Sequence, residues 1–182
     1  MKRLLLLLAI LIGLPAAGSV AAEQLTLCYH YGCDRQGRFD IRPETLQGLA
    51  ARFAAAADAA DEREAVREAI RALYADAARL LPIWQDKAGN GVDDSGDGRM
   101  DCIDHSENAV RMLDYLARHH WLRFHAPAGI VSRAPWLVNY HQGAALEETA
   151  SRTRWVVDGW FYDFGALPAV VPLDVWKKGF SP

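Results

Sequence analysis

Apolar residues recur along this chain in two periods, and the period changes past the middle. From Arg42 to Leu81 the spacing is helical. Leu46, Leu49 and Phe53 share one face, and Val66, Ile70, Leu73, Ala77 and Leu80 share another in the next segment. The pairs Glu64/Arg67 and Glu68/Arg71 fall on the wet side of that second helix, and Pro82 stops it. This pattern predicts a packed hairpin of two amphipathic helices, preceded by a short strand in "QLTLCYHY". Residues 86–101 are rich in Gly and Asp and read as a loop. "CIDHSENAVRMLDYLARHH", from Cys102, reads as a third helix. Beyond it, aromatic and β-branched residues predict strands in "WLRFHA", "WLVNYHQGAALEE" and "TRWVVDGWFYDFG". "PAVVPLDVWKKGF" reads as a short strand followed by a helical turn. Helices first and strands afterwards predict an α+β fold with an antiparallel sheet. We expect one domain over 23–182, with a helical part (23–85) and a core (86–182).

The first residues change the cellular picture. Lys2 and Arg3 precede an apolar run, Leu4 to Leu14, and Val20-Ala21-Ala22 offers small residues for cleavage. Residues 1–22 therefore read as a secretory signal peptide, the alternative being an uncleaved anchor. Removal leaves 160 residues with a formal charge of −5, against −3 for the whole chain. A mildly acidic chain without a basic run offers nucleic acid no electrostatic attraction. With no second long apolar segment, the expected product has no membrane span and is periplasmic or secreted. In that oxidising setting Cys28 and Cys33 read as a disulfide that pins the N-terminus, which leaves Cys102 over. The alternatives for Cys102 are pairing with Cys28 or Cys33, or burial as a small apolar residue.

"DDSGDGRMDCID" has the spacing of a calcium loop. With Asp93 at position 1, Ser95 stands at 3, Asp97 at 5, Gly98 at 6, Arg99 (through its carbonyl) at 7, Asp101 at 9 and Asp104 at 12. Several hard oxygens about a Gly turn suit one hard cation. These dozen residues resemble the calcium loops of EF-hand and dockerin-type proteins, which implies calcium as a structural cofactor. The bland alternative is a polar surface loop in which Asp101 only caps a helix.

The helix after that loop has its own chemistry. At about 100° per residue, Cys102, Ser106, Ala109, Val110, Leu113, Leu116 and Ala117 lie on one side, with Asp104 turned outward. A thiol in a first helical turn gains from the positive end of the helix. It still wants a base, and the base wants an orienting carboxylate. Folding "NYHQGAALEETASRTRWVVDGWF" about a turn at Glu147–Arg152 sets His141 beside Asp158. "DCIDHS" and the order Cys102, His141, Asp158 resemble the bacterial transglutaminase-like proteins of the papain-like superfamily, over residues 100–162. The resemblance implies Cys102 as nucleophile, His141 as general base and acid, and Asp158 as the residue that orients His141. It implies a structural role for Asp104, and a peptide or protein amide as substrate. The expected activity is acyl transfer: a cysteine peptidase or amidase, or a transglutaminase.

Other candidates weigh less. Asp163 lies beyond the matched hairpin position, and His105 is poorly placed on its helix to take the thiol proton. His119, His120 and His125 lack a recognised zinc spacing. Trp136, Trp155, Trp160, Phe161 and Tyr162 read as sheet core, part of which could line a groove. The rival function is a non-catalytic, calcium-stabilised binding module with Cys102 as packing.

Overall fold

The structure is a computed structural model that describes residues 22–91, 96–134 and 140–182. The expected signal peptide lies outside the described residues, except for Ala22, as do Asp93, Ser95 and Trp136. The fold is α+β. Strands β1 (Gln24–Tyr29) and β2 (Arg35–Asp40) form an antiparallel hairpin, and helices α1 (Pro43–Ala55) and α2 (Ala59–Ala77) follow. After a 3₁₀ turn at Pro82–Gln85 comes helix α3 (Cys102–Arg118). Strands β3 (His125–Arg133), β4 (His141–Glu148), β5 (Arg154–Asp158) and β6 (Ala169–Pro172) make a four-stranded antiparallel sheet in sequential order. A short helix, α4 (Leu173–Lys177), closes the chain. Among the described residues no helix is long and apolar enough to cross a membrane.

The helices start where their sequences allow. Pro43 opens α1, where a missing N–H costs nothing. The Asp58 side chain caps α2 by accepting from Asp61 N–H at 2.9 Å. Val66, Ile70, Leu73 and Ala77 are buried as their period predicts. Leu80 is not: it is 70 % exposed, because α2 has ended at Ala77 and the chain has turned. Glu68 pairs with Arg52 of α1 at 2.6 Å, which ties the two helices together, while Arg67 pairs with Glu64 within α2 at 2.8 Å.

Helix α3 is the axis of the molecule. Ala109, Met112, Leu113 and Leu116 join Leu27 of β1, Leu73 of α2 and Ala144, Leu146 and Val157 of the sheet in one core. Asn108, in mid-helix and fully buried, completes the seam with β1: its Oδ1 accepts from Cys28 N–H at 2.6 Å and its Nδ2 donates to Cys28 O at 2.8 Å. Strand β2 escapes a reading by pattern, since "RQGRFD" has one apolar residue, Phe39. Pairing with β1 decides it. The strand expected at 121–126 runs instead from His125 to Arg133. Residues 121–124 stay irregular because Arg123 and Phe124 give their N–H groups to Glu62.

Glu62 is a buried carboxylate that the helical period alone would put aside. It accepts from Arg123 N–H at 2.6 Å, from Phe124 N–H at 3.1 Å and from His125 Nδ1 at 2.9 Å. Burial opposes its charge, yet His125 and the two N–H groups outweigh that and hold its pKa below the ordinary 4.5. Its contribution to stability is therefore present above the unfolded value and lost as pH falls through the lower folded one. Glu62→Ala should cost about 3–5 kcal/mol, since three donors lose their acceptor. A lower urea midpoint at pH 7, with a smaller difference from wild type in acid, is the expected result.

Candidate active site

The start of α3 is held by acids on both sides of Cys102. Asp101 is the N-cap: its Oδ1 accepts from Ile103 and Asp104 N–H, each at 3.0 Å. Asp104 answers by accepting from Asp101 N–H at 3.1 Å, which completes a capping box with Asp in the usual Glu position. Asp104 does not point outward. It is fully buried, because the β1–β2 hairpin packs on that side of the helix. Its other oxygen accepts from Cys33 N–H at 2.8 Å, while Asp101 Oδ2 accepts from Gly32 N–H at 3.0 Å.

Those two N–H groups come from an unusual turn. His30, Tyr31, Gly32 and Cys33 all have φ between +60° and +69°, one turn of left-handed helix. Such a conformation costs roughly 1–2 kcal/mol for each non-Gly residue. The Cys28–Cys33 disulfide closes the turn, and the Asp101 and Asp104 carboxylates hold its N–H groups. Burial, set against the neighbouring N–H groups, raises the Asp104 pKa to about 6.

Cys102 is a free cysteine, half-buried, at the first position of α3. Its N–H is one of the four that no helical carbonyl takes, and the cap carboxylate is spent on the next two. The thiol lies close enough to His141, the first residue of β4, to help raise the pKa of its ring. His141 Nε2 pairs with Asp158 Oδ2 at 2.7 Å, which leaves Nδ1 as the ring nitrogen not spent on the carboxylate. Both residues are nearly buried. Burial alone would lower the His141 pKa; the hydrogen bonds and charges of Asp158 and Cys102 outweigh it, and the pKa rises.

The His141–Asp158 pair is diagonal, not directly opposite. Ala144 faces Val157 and Leu146 faces Trp155, a register that sets Asp158 beside Gly143, two residues from His141. A two-residue offset keeps the same face of the sheet, so the side chains still meet. Gly143 has a use here. A Cβ there would lie 2.5 Å from Val156 and 3.4 Å from the Trp176 ring. Trp176 of α4 is the residue the sequence reading missed: its Nε1–H donates to Asp158 Oδ2 at 2.8 Å. Trp160 adds its backbone N–H to Asp158 Oδ1 at 3.2 Å. The rings of Trp160, Phe161 and Trp176 lie 4.7, 5.3 and 5.6 Å from that of His141. The one available signal for Trp176 was a Trp in a terminal turn that is rich in charged residues, Asp174, Lys177 and Lys178.

The remaining candidates are scattered. His105 pairs with Asp86 at 2.9 Å, and its Nδ1 makes no hydrogen bond. It abuts Gly159, where a Cβ would come within 2.9 Å of it. The adjoining cavity, about 30 Å³, suits a water molecule and not a substrate. Asp163 is exposed and accepts from Ala88 N–H at 3.0 Å. His119 pairs with Glu23 and His125 with Glu62, far from any shared metal centre. Trp155 lies under the guanidinium of Arg63, away from His141. Tyr162 lines the His105 cavity. Among the described residues of the aromatic set, only Trp160 and Phe161 reach the His141 site.

The described members of the calcium loop already have partners of their own. Both Asp101 oxygens and both Asp104 oxygens accept N–H groups, and the Arg99 carbonyl accepts from His30 N–H at 2.8 Å. Asp97 is exposed and pairs with Arg35 at 3.1 Å. Donors that already point at these oxygens would have to leave before a metal came in. No family model, curated protein or solved structure matches this chain.

Two outcomes follow. The His141 pKa, read by NMR titration of its ring, should fall in Asp158→Asn, because burial then acts with less opposition. The melting temperature should be the same in chelator as in millimolar calcium, because helix donors take the oxygens that calcium would need.

Proposed function

We propose that this chain is an exported thiol-dependent acyl-transfer enzyme of the transglutaminase-like kind, acting on an amide bond. One observation carries the reading: the Cys102 thiol, at the start of a helix, is linked through His141 to a buried Asp158 carboxylate. A core histidine would need one partner, and a packing cysteine none. Here the order nucleophile, base, orienting acid matches the needs of covalent catalysis.

His141 takes the thiol proton, and the Cys102 sulfur attacks the carbonyl carbon of the amide. The oxyanion forms at the positive end of α3, where the free Cys102 N–H is the first donor for it. Asp158 favours the imidazolium that results. His141 returns the proton to the departing amine, and the C–N bond breaks to leave a thioester on Cys102. Water then loses a proton to His141 and attacks the thioester, releasing acid and thiol. An amine in place of water would make a new amide. Nothing in this sequence of steps passes through calcium.

The test is the pH profile of iodoacetamide labelling at Cys102, located by mass mapping. In wild type, Cys102 should label readily at neutral pH. In His141→Ala labelling should slow by about tenfold or more. Acetylation of Cys102 by p-nitrophenyl acetate should fail in the same variant. A thiol that stays inert in the folded wild type sinks the enzyme reading and leaves a binding module.

A further inference from the structure

His141 has a second neighbour whose charge the proposed chemistry does not use. Arg133 of β3 is its direct partner across the β3–β4 ladder. Directly paired residues project to the same face, with Cβ atoms about 5 Å apart. On one side of His141 stands Asp158, and on another a guanidinium.

Among the described residues, no carboxylate forms an ion pair with Arg133. Nη1 donates to Trp176 O and Nη2 to Phe180 O, the latter at 2.8 Å. Of the five N–H groups of an arginine, the one on Nε is buried and makes no hydrogen bond. The rings of Trp176 and Phe161 lie 4.7 and 5.8 Å from its centre. Aromatic walls and neutral carbonyls fix where the charge sits without cancelling it. Burial lowers its pKa, with the Asp158 charge acting the other way.

Arg133 and His141 also share a space. A cleft of about 360 Å³ is lined by both, together with Tyr140, Trp160, Phe161 and residues 179–181. That volume falls in the range of small-molecule and peptide-side-chain sites. A fixed, unpaired cation in an aromatic cleft is suited to a planar anion that can take a fork of N–H groups. We infer that Arg133 binds a carboxylate of the substrate, so that the cleft beside His141 selects an anionic acyl or leaving group. The inference rests on the proposed function for its place next to the scissile bond. The anion site itself does not need Cys102.

An amide carbonyl that accepts from the buried Nε–H leaves the positive charge unanswered, whereas a carboxylate meets both. The carboxylate could belong to a chain terminus or to an acidic side chain, and the probes separate the two. Hippurate carries a terminal carboxylate, N-benzoylglutamic acid α-amide a side-chain carboxylate, and hippuramide none. Binding to the full wild-type chain can be followed by tryptophan fluorescence, since Trp160 lines the cleft. At least one carboxylate should bind about tenfold tighter than hippuramide, the size of one charge-assisted contact. Arg133→Gln should abolish the difference and Arg133→Lys should keep part of it. Which carboxylate binds better identifies the source.

Arg133→Gln could also free the segment it ties at Trp176 and Phe180, which a melting curve would reveal. In that case the salt dependence of the wild-type preference decides, with Arg133→Lys. A preference that fades as salt rises supports the cation's role. Equal binding of all three probes overturns the inference, as does a preference that survives Arg133→Gln or ignores salt. Iodoacetamide labelling distinguishes this failure from the other. An inert Cys102 with an intact carboxylate preference removes the enzyme and keeps the anion site.

Discussion

The buried carboxylate of Asp158 takes hydrogen bonds from three separate pieces of chain: the His141 ring on β4, the Trp176 indole on α4, and the backbone at Trp160. A buried charge is tolerable only when its oxygens are satisfied. That demand draws α4 back onto the sheet and leaves His141 Nδ1 as the ring nitrogen not spent on Asp158. The aromatic shell about His141 follows, because the residues after Asp158 and at the end of the chain have to lie close to feed it.

A second constraint acts on the other partner of His141. Cys102 can be positioned only if the first turn of α3 is rigid, and helix ends fray without caps. Two adjacent-turn aspartates supply the cap and at the same time grip a left-handed turn from the β1–β2 hairpin. The disulfide therefore braces the helix start at one remove. This explains why Asp101 and Asp104 stand where a calcium loop would also have them. Oxygen-rich spacing satisfies cations and backbone N–H groups alike, and spacing by itself does not say which.

Much of the fold was legible. Helical period placed α1, α2 and α3 within a few residues, and clusters of aromatic and β-branched residues placed β4 and β5. Strand β2 was not legible, since its sequence is polar and its pairing with β1 is what makes it a strand. Nor was the length of α2 beyond Ala77 or the burial of Glu62, because each depends on a partner distant in sequence: Arg123, Phe124 and His125 for Glu62. The candidate site was half legible. The residues Cys102, His141 and Asp158 could be named from their order. The diagonal register that joins the last two, and the whole contribution of Trp176 and Arg133, could not.

Sequence by itself determined the local things: where the helices lie, which cysteine is left unpaired by a close neighbour, and that a His and an Asp fall on facing strands of one hairpin. These follow from short-range sterics, capping and periodicity, which act within a few residues. Tertiary structure alone decided which way Asp104 faces, which indole completes the Asp158 carboxylate, and that an unpaired arginine stands beside His141. Those outcomes depend on desolvation. A charged or polar group is driven to whatever partner remains when water is removed, and the identity of that partner is set by packing between segments far apart in the chain.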